Sequence, residues 1–135
     1  MKTEIILIDD DPISLLLSKF LLEKTNVPSK TIKLTPFDEP QEGLKYILNL
    51  VNDDKTDKCK LKVLLDINMP VLNGWEFLSQ LNKFDPEKQI RVIMHSSSKW
   101  EQDITLALTD SRVDCYITKP MEARKAMQVV DFFIK

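Results

Sequence analysis

Glycine is scarce in this chain of 135 residues, which contains only Gly43 and Gly74. Loops that bind dinucleotides or nucleoside triphosphates need clustered glycines, because the backbone must approach the phosphates closely. The chain therefore has neither a dinucleotide-binding fingerprint nor a P-loop.

The chain also has few cysteines, no long apolar run and little net charge. The two cysteines, Cys59 and Cys115, lie far apart without a metal-binding spacing, so we expect reduced thiols in a cytoplasmic protein. No apolar run approaches the roughly 20 residues that span a bilayer, and the first apolar run ends in three acids, unlike a signal peptide. A net charge of −2 and a pI near 5.4 argue against a nucleic-acid surface. We therefore expect neither a membrane nor a nucleic acid as partner.

Short apolar runs alternate with amphipathic segments along the chain, whose composition fits a single globular domain over residues 1–135. Such alternation predicts an α/β fold, a parallel sheet with helices on both faces. The predicted strands are Glu4–Ile8, Thr31–Leu34, Leu61–Asp66, Ile90–Met94 and Val113–Ile117, and the predicted helices are Ile13–Glu23, Pro40–Val51, Asn73–Phe84, Glu101–Asp110 and Glu122–Ile134. The polar, aperiodic segment 52–60 is predicted to be a loop.

The first predicted helix follows three consecutive acids and Pro12, which favours the first helical turn. Asp10 or Asp11 is expected to cap it. Apolar residues at helical spacing define its apolar face: Ile13, Leu16, Leu17, Phe20 and Leu21.

The segment LKVLLDINMP (61–70) organises the rest of the chain. Its apolar run is typical of a strand buried on both faces, and an ionised carboxylate within such a strand would be costly. We therefore place Asp66 at the carboxyl end of the strand, where open parallel sheets bind their ligands. This position makes Asp66 the candidate reactive group.

Polar groups follow four of the five predicted strands: Asp9 and Asp10, Asp66, Ser96 and Lys119. Parallel strands share one carboxyl edge, so these groups should converge. Neighbouring carboxylates repel each other, and Mg²⁺ with oxygen ligands would relieve that repulsion. Asp66 could then attack a phosphoryl group as a nucleophile, with Lys119 and Ser96 contacting the phosphoryl oxygens.

The sequence also resembles a known family. The motifs IILIDDDP (5–12), VLLDINMPVLNG (63–74), VIMHSS (92–97) and YITKP (116–120) resemble, in order and spacing, those of response-regulator receiver domains of two-component signalling. The resemblance covers the whole chain. It implies a flavodoxin-like (βα)5 fold with five helices and the strand order 2-1-3-4-5.

The resemblance implies a role for each polar group at the predicted edge. Asp66 would accept a phosphoryl group from the phosphohistidine of a histidine kinase or phosphotransfer protein. Asp10, Asp66 and the backbone carbonyl of Asn68 would ligate Mg²⁺, and Asp9 would act partly through water. Lys119 would contact the phosphate, and its bond to Pro120 would be cis.

The resemblance further implies a conformational switch. Ser96 would be the switch hydroxyl, although three consecutive serines also allow Ser97, and Tyr116 would change rotamer. The surface of helix 4, strand 5 and helix 5 would then signal to a protein partner, from a monomer or a phosphorylation-dependent dimer. Since no residues follow Lys135, we expect a stand-alone regulator.

Other functions are weighed against this one. The main alternative is an aspartyl-phosphate-forming phosphatase or phosphotransferase, but such enzymes usually carry a second acid two residues after the nucleophile, where this chain has Asn68. A flavin binder is disfavoured because the acids after the first strand would repel a flavin phosphate. A receiver acting only as a scaffold is disfavoured by the complete set of polar groups. We therefore expect a signalling switch rather than a metabolic enzyme.

Four nearby residues have structural interpretations. Ser98 is expected to cap the fourth helix, Gly74 to supply a backbone angle that a side chain would forbid, and His95 to be a satisfied or exposed structural histidine. Trp75 is expected to be a packing residue. The fourth helix, with few large apolar residues, is predicted to be a mobile face.

Overall fold

The computed structural model describes residues 2–25 and 31–134, which form one parallel sheet covered on both faces by helices. The strands are β1 (Thr3–Ile8), β2 (Ile32–Phe37), β3 (Leu61–Leu65), β4 (Arg91–Ser96) and β5 (Val113–Thr118). The helices are α1 (Pro12–Glu23), α2 (Pro40–Val51), α3 (Gly74–Phe84), α4 (Glu101–Thr109) and α5 (Ala123–Ile134). The strand order is β2-β1-β3-β4-β5, which confirms the predicted fold. None of the helices in the described ranges has the length and apolar character needed to span a membrane.

Several predicted boundaries differ from the observed ones. Strand β2 continues to Phe37 rather than ending at Leu34, and it tolerates Pro36 because an edge strand can lack one donor. Strand β4 continues to Ser96. The predicted loop 52–60 contains a short 3₁₀ helix, Lys58–Lys60, which Asp57 caps by accepting a hydrogen bond from Cys59 N at 3.0 Å.

Side-chain caps fix the starts of α1 and α3. Asp11, not Asp10, caps α1, and it accepts a hydrogen bond from Ile13 N at 3.0 Å. Helix α3 begins with a reciprocal capping box: Asn73 accepts from Glu76 N at 2.9 Å, and Glu76 accepts from Asn73 N at 3.0 Å. Both cap residues follow directly on the loops that carry candidate site residues.

The core consists of two layers, one on each face of the sheet. Alternate strand residues such as Ile6, Val63 and Met94 pack with α2 and α3, whereas Ile5, Leu64 and Ile93 face the other way. The second layer is completed by α1 and α5. The three central strands are thus buried on both faces, as their uninterrupted apolar runs predict.

The apolar stripe that identifies α1 in the sequence is not its buried face. Ile13 and Leu16 are 79% and 69% exposed, and Leu17 and Phe20 are also exposed. The residues that pack inward are Leu15, Ser18 and Leu22.

A buried ion pair closes the opposite, amino-terminal edge of the sheet. Arg112 and Asp85 are fully buried, with 2.5 Å between Nη1 and Oδ2. Asn82 Oδ1 accepts from Arg112 Nη2 at 2.9 Å, and Asp110, at the end of α4, accepts from Asn82 Nδ2 at 3.4 Å. This network ties the C-terminal ends of α3 and α4 together, away from the candidate site.

Candidate functional site

The carboxyl edge of the sheet brings together side chains that follow three separate strands. Asp9 follows β1, Asp66 follows β3 and Lys119 follows β5. Lys119 Nζ lies 2.9 Å from Asp9 Oδ2 and 3.2 Å from Asp66 Oδ2. Both aspartates are about 5% exposed or less, so the ammonium and the two carboxylates form a compact buried charge cluster.

Asp10 completes a set of three acids. Each of Asp9, Asp10 and Asp66 offers a carboxylate oxygen, and these oxygens lie within 4.8 Å of one another. Asp10 is half-buried, so the set is open to solvent on its side. Three hard oxygen donors around one open position suit Mg²⁺, which usually retains several waters.

Burial dominates the electrostatics of Asp66. It raises the pKa of the Asp66 carboxyl to about 6, although Lys119 opposes the rise, and Asp9 adds to it. Burial alone would lower the pKa of Lys119, but its contacts with Asp9 and Asp66 outweigh burial and raise it. The lysine therefore stays charged, and the site holds more negative charge than this one ammonium can neutralise.

One carboxylate oxygen is poorly satisfied. Asp9 Oδ1 accepts from Asp11 N at 3.0 Å, but buried Asp9 Oδ2 has no well-aligned hydrogen bond within the described residues. Its 2.9 Å contact with Lys119 is thus an ion pair of poor hydrogen-bond geometry. A buried carboxylate oxygen in this state fits a bound cation.

The three consecutive serines occupy different environments. Ser96, the last residue of β4, is fully buried, whereas Ser97 is exposed. Ser96 Oγ accepts a hydrogen bond from Ser98 N at 3.4 Å. Of the two candidates for the switch hydroxyl, Ser96 lies at the strand exit, and its backbone O accepts a hydrogen bond from Lys119 N at 2.9 Å.

Ser98 links the loop after β4 to β5 and α4. Tyr116, half-buried on β5, donates its hydroxyl to Ser98 O at 2.7 Å. Ser98 Oγ donates to Asp103 at 2.6 Å and accepts from Trp100 N at 3.3 Å. The N-cap position of α4 belongs to Trp100, so the prediction that Ser98 caps this helix is wrong.

Comparison with known proteins decides the family. The family model of the response regulator receiver domain matches residues 5–131 of the sequence. The chain belongs to this family.

Individual relatives agree with this assignment. The receiver domain is 25% identical over 127 residues to the two-component response regulator ORR1 of rice (Oryza sativa subsp. japonica), covering 94% of this chain and 53% of the relative. The chain thus spans about half the length of the curated relatives that it matches first.

Solved structures show the same fold. A two-component response regulator from Cytophaga hutchinsonii superposes with a TM-score of 0.81 at 25% identity, covering 99% of this chain and 98% of that one. The CheX-CheY-BeF3-Mg²⁺ complex from Borrelia burgdorferi matches with a TM-score of 0.72 at 26% identity, covering 98% and 90%. That complex contains Mg²⁺.

The remaining predicted residues of the receiver site lie close to Asp66 and Lys119. The backbone N–H of Asn68 donates to Asp66 Oδ1 at 3.3 Å, and the Asn68 side chain is exposed. The Lys119–Pro120 bond is cis. Lys125, which the sequence does not single out, donates to Thr118 O at 2.8 Å and Pro120 O at 3.2 Å. An ordinary lysine in a helical first turn gives no sequence signal for this role in holding the end of β5.

Two further structural interpretations from the sequence are wrong. His95 is neither exposed nor satisfied: it is 2% exposed, and Nε2 lacks a hydrogen-bond partner within the described residues. Burial, reinforced by the positive charge of Lys119, lowers the pKa of His95 to about 4. Gly74 does not adopt a left-handed conformation. It is required by space, because a Cβ there would lie 2.6 Å from Asp66 O.

Proposed function

We propose that Asp66 accepts a phosphoryl group from the phosphohistidine of a histidine kinase or phosphotransfer protein. The observation that carries this proposal is the buried Asp66 carboxylate, 3.2 Å from the Lys119 ammonium and grouped with two further acids. Family membership supports it, because receiver domains are signalling switches rather than metabolic enzymes. The protein would act in the cytoplasm, where its two free cysteines would stay reduced.

The residues present fit Mg²⁺. Asp10, Asp66 and the backbone carbonyl of Asn68 would hold the ion, and Asp9 would contribute partly through water. When bound, Mg²⁺ supplies positive charge that neutralises the acids and the incoming phosphoryl oxygens. Buried Asp9 Oδ2, which has an ion pair but no well-aligned hydrogen bond, supports this assignment.

Residues of the chain itself supply the nucleophile and its orientation. With a pKa of about 6, Asp66 is mainly ionised at neutral pH and can attack phosphorus. An O–P bond forms at Asp66 while the N–P bond of the phosphohistidine breaks and its electron pair returns to the imidazole. Asn68 N–H holds Oδ1, and Lys119 stabilises the charge on the phosphoryl oxygens.

Phosphorylation would then be read as a change of shape. A phosphoryl oxygen on Asp66 would accept a hydrogen bond from the Ser96 hydroxyl and draw the loop after β4 inward. Tyr116, which already holds Ser98 O, would follow that loop. The surface of α4, β5 and α5 would change, and a downstream protein would recognise it, with the receiver as a monomer or phosphorylation-dependent dimer.

The test is incubation with Mg²⁺ and phosphoramidate, followed by intact mass measurement. We expect one phosphoryl group on the parent protein and none on Asp66→Asn. Asp85→Asn is unsuitable as a control because that residue is in a buried ion pair, so exposed Asp54→Asn serves instead and should label normally. Equal labelling of Asp66→Asn, or no labelling of the parent with Mg²⁺ present, would contradict the proposal.

A further inference from the structure

A cleft separates α3 from α4 on the surface of the domain. It has a volume of about 310 Å³, and its lining combines three apolar residues, Trp75, Leu78 and Leu106, with the polar residues Ser79, Asn82, Thr109 and Asp110. A second depression of about 430 Å³ runs along α4 from Glu101 and shares Leu106 and Thr109 with the cleft. Together they form an elongated groove, which we call the α3–α4 cleft.

The α3–α4 cleft leaves apolar side chains uncovered. Leu106 lines both depressions and is 54% exposed, and Trp75 is half-buried at the α3 wall. Within the fully described helix α4, Ala107 is the single buried residue. Helix α4 packs mainly on β5, so Leu106 and Trp75 leave apolar surface in the cleft that an added side chain could cover.

The charged residues that line the α3–α4 cleft are both acidic. Carboxylates lie at its two ends, Glu101 and Asp110, and no lysine or arginine of the described chain lines either depression. Asp110 is partly compensated by Lys88 Nζ at 3.5 Å. Glu101 has no ion pair within residues 2–25 and 31–134, so it is the carboxylate available to a partner.

We propose that the α3–α4 cleft binds a segment of a partner protein that inserts an apolar side chain beside Leu106 and places a lysine or arginine near Glu101. Apolar burial would supply the contact area, and the basic residue would set the orientation. This surface differs from the one formed by α4, β5 and α5, because Trp75 and Leu78 of α3 line the cleft and the lining includes no residue of β5 or α5.

Both walls of the cleft begin at loops of the phosphorylation site. Gly74, the first residue of α3, is packed against the backbone of Asp66, and Trp75 comes next. Helix α4 begins directly after the loop in which Tyr116 holds Ser98. Its far end is fixed to α3 through Asp110 and Asn82. A displacement of the loop would therefore move the start of α4 about a tethered end and change the width of the cleft.

The binding chemistry is independent of the proposed function, but its control by phosphorylation rests on that function. Two leucine-containing synthetic peptides of equal length would test the binding, one with lysines and the other with glutamates at the charged positions. In the Trp100→Phe protein the remaining tryptophan is Trp75, so its fluorescence reports occupancy of the cleft. We expect the lysine peptide, and not the glutamate peptide, to change the emission saturably.

Two exposed leucines of α4 provide a matched pair of variants. Leu106→Asp should weaken binding by about tenfold or more, whereas Leu108→Asp, at a residue 49% exposed outside both depressions, should leave it unchanged. Glu101→Lys should weaken binding of the lysine peptide. Circular dichroism would show that each variant folds. Equal binding of both peptides, no binding, or an equal loss in the two leucine variants would overturn the proposal.

The phosphorylated sample separates the two proposals. After treatment with Mg²⁺ and phosphoramidate, intact mass gives the phosphorylated fraction and Trp75 fluorescence gives the affinity in the same tube. We expect the affinity of the lysine peptide to change with the phosphorylated fraction. Peptide binding without labelling would contradict the phosphoacceptor function alone, and full labelling without a change in affinity would overturn control of the cleft.

Discussion

Replacing Asp66 with Asn should stabilise the Mg²⁺-free protein. The carboxyl group is 4% exposed, and burial raises its pKa from 3.8 to about 6 despite the opposing ammonium of Lys119. A rise of this size means that ionising Asp66 costs roughly 3 kcal/mol more in the folded chain than in the unfolded chain. Asn keeps the shape without the charge, and it loses the ion pair, so we expect a gain of about 1–3 kcal/mol.

The pH dependence of this gain has a definite sign. As the pH falls from about 6 toward 3.8, Asp66 takes up a proton in the folded state before it does so in the unfolded state. The parent protein therefore gains stability relative to Asp66→Asn across this window, and the advantage of the variant shrinks. Above pH 6 the advantage should be complete.

Urea unfolding in EDTA at several pH values measures both effects. Asp54→Asn, at an exposed residue, is the control and should change the free energy of unfolding little. Added Mg²⁺ should stabilise the parent protein and reduce the difference. A variant less stable than the parent at neutral pH would refute this account of Asp66. So would a gain in the free energy of unfolding that stays constant from pH 4 to neutral pH, because Asp66 would then not be a carboxylate that burial destabilises.

Three further substitutions or modifications test separate features. Gly74→Ala should cost about 1–3 kcal/mol and slow phosphorylation, because its Cβ would lie 2.6 Å from Asp66 O; unchanged unfolding and labelling would contradict the steric account. Arg112→Ala should lower the free energy of unfolding in urea by about 3–5 kcal/mol, because it leaves buried Asp85 unpaired. A decrease as small as that of a surface substitution would show that the ion pair is not buried. Burial raises the pKa of Cys115 to about 11, so iodoacetamide should alkylate exposed Cys59 first in a peptide-mass time course. Earlier alkylation of Cys115 would contradict that burial.

The convergence of polar groups could be predicted because parallel strands share one carboxyl edge, whereas the strand order came from the resemblance to receiver domains. Strands β1, β3 and β5 each end in a polar group at the shared edge, so Asp9, Asp66 and Lys119 come together whatever the details of packing. The buried face of α1 could not be predicted, because the helix carries two stripes at helical spacing. The stripe that contains Leu16 and Phe20 is the more apolar of the two. The other stripe, which contains Leu15 and Leu22, is the one that packs in the core with α5.

Properties that depend on which atoms approach one another in the folded chain could not be predicted from the sequence either. Gly74 is identifiable as special, but only the structure shows that the backbone of Asp66, rather than a backbone angle, excludes a side chain. The low pKa of His95 depends on its burial and on the charge of Lys119, which only the folded chain brings close to it. The mobile face predicted for α4 stays a prediction.

A crystal structure of the protein with Mg²⁺ and beryllofluoride tests the central claim most directly. The account predicts Mg²⁺ bound by Asp10, Asp66 and the Asn68 carbonyl, with beryllofluoride on Asp66 contacting both Lys119 and Ser96. Beryllofluoride absent from Asp66, or a metal ion bound away from Asp10 and Asp66, would contradict it.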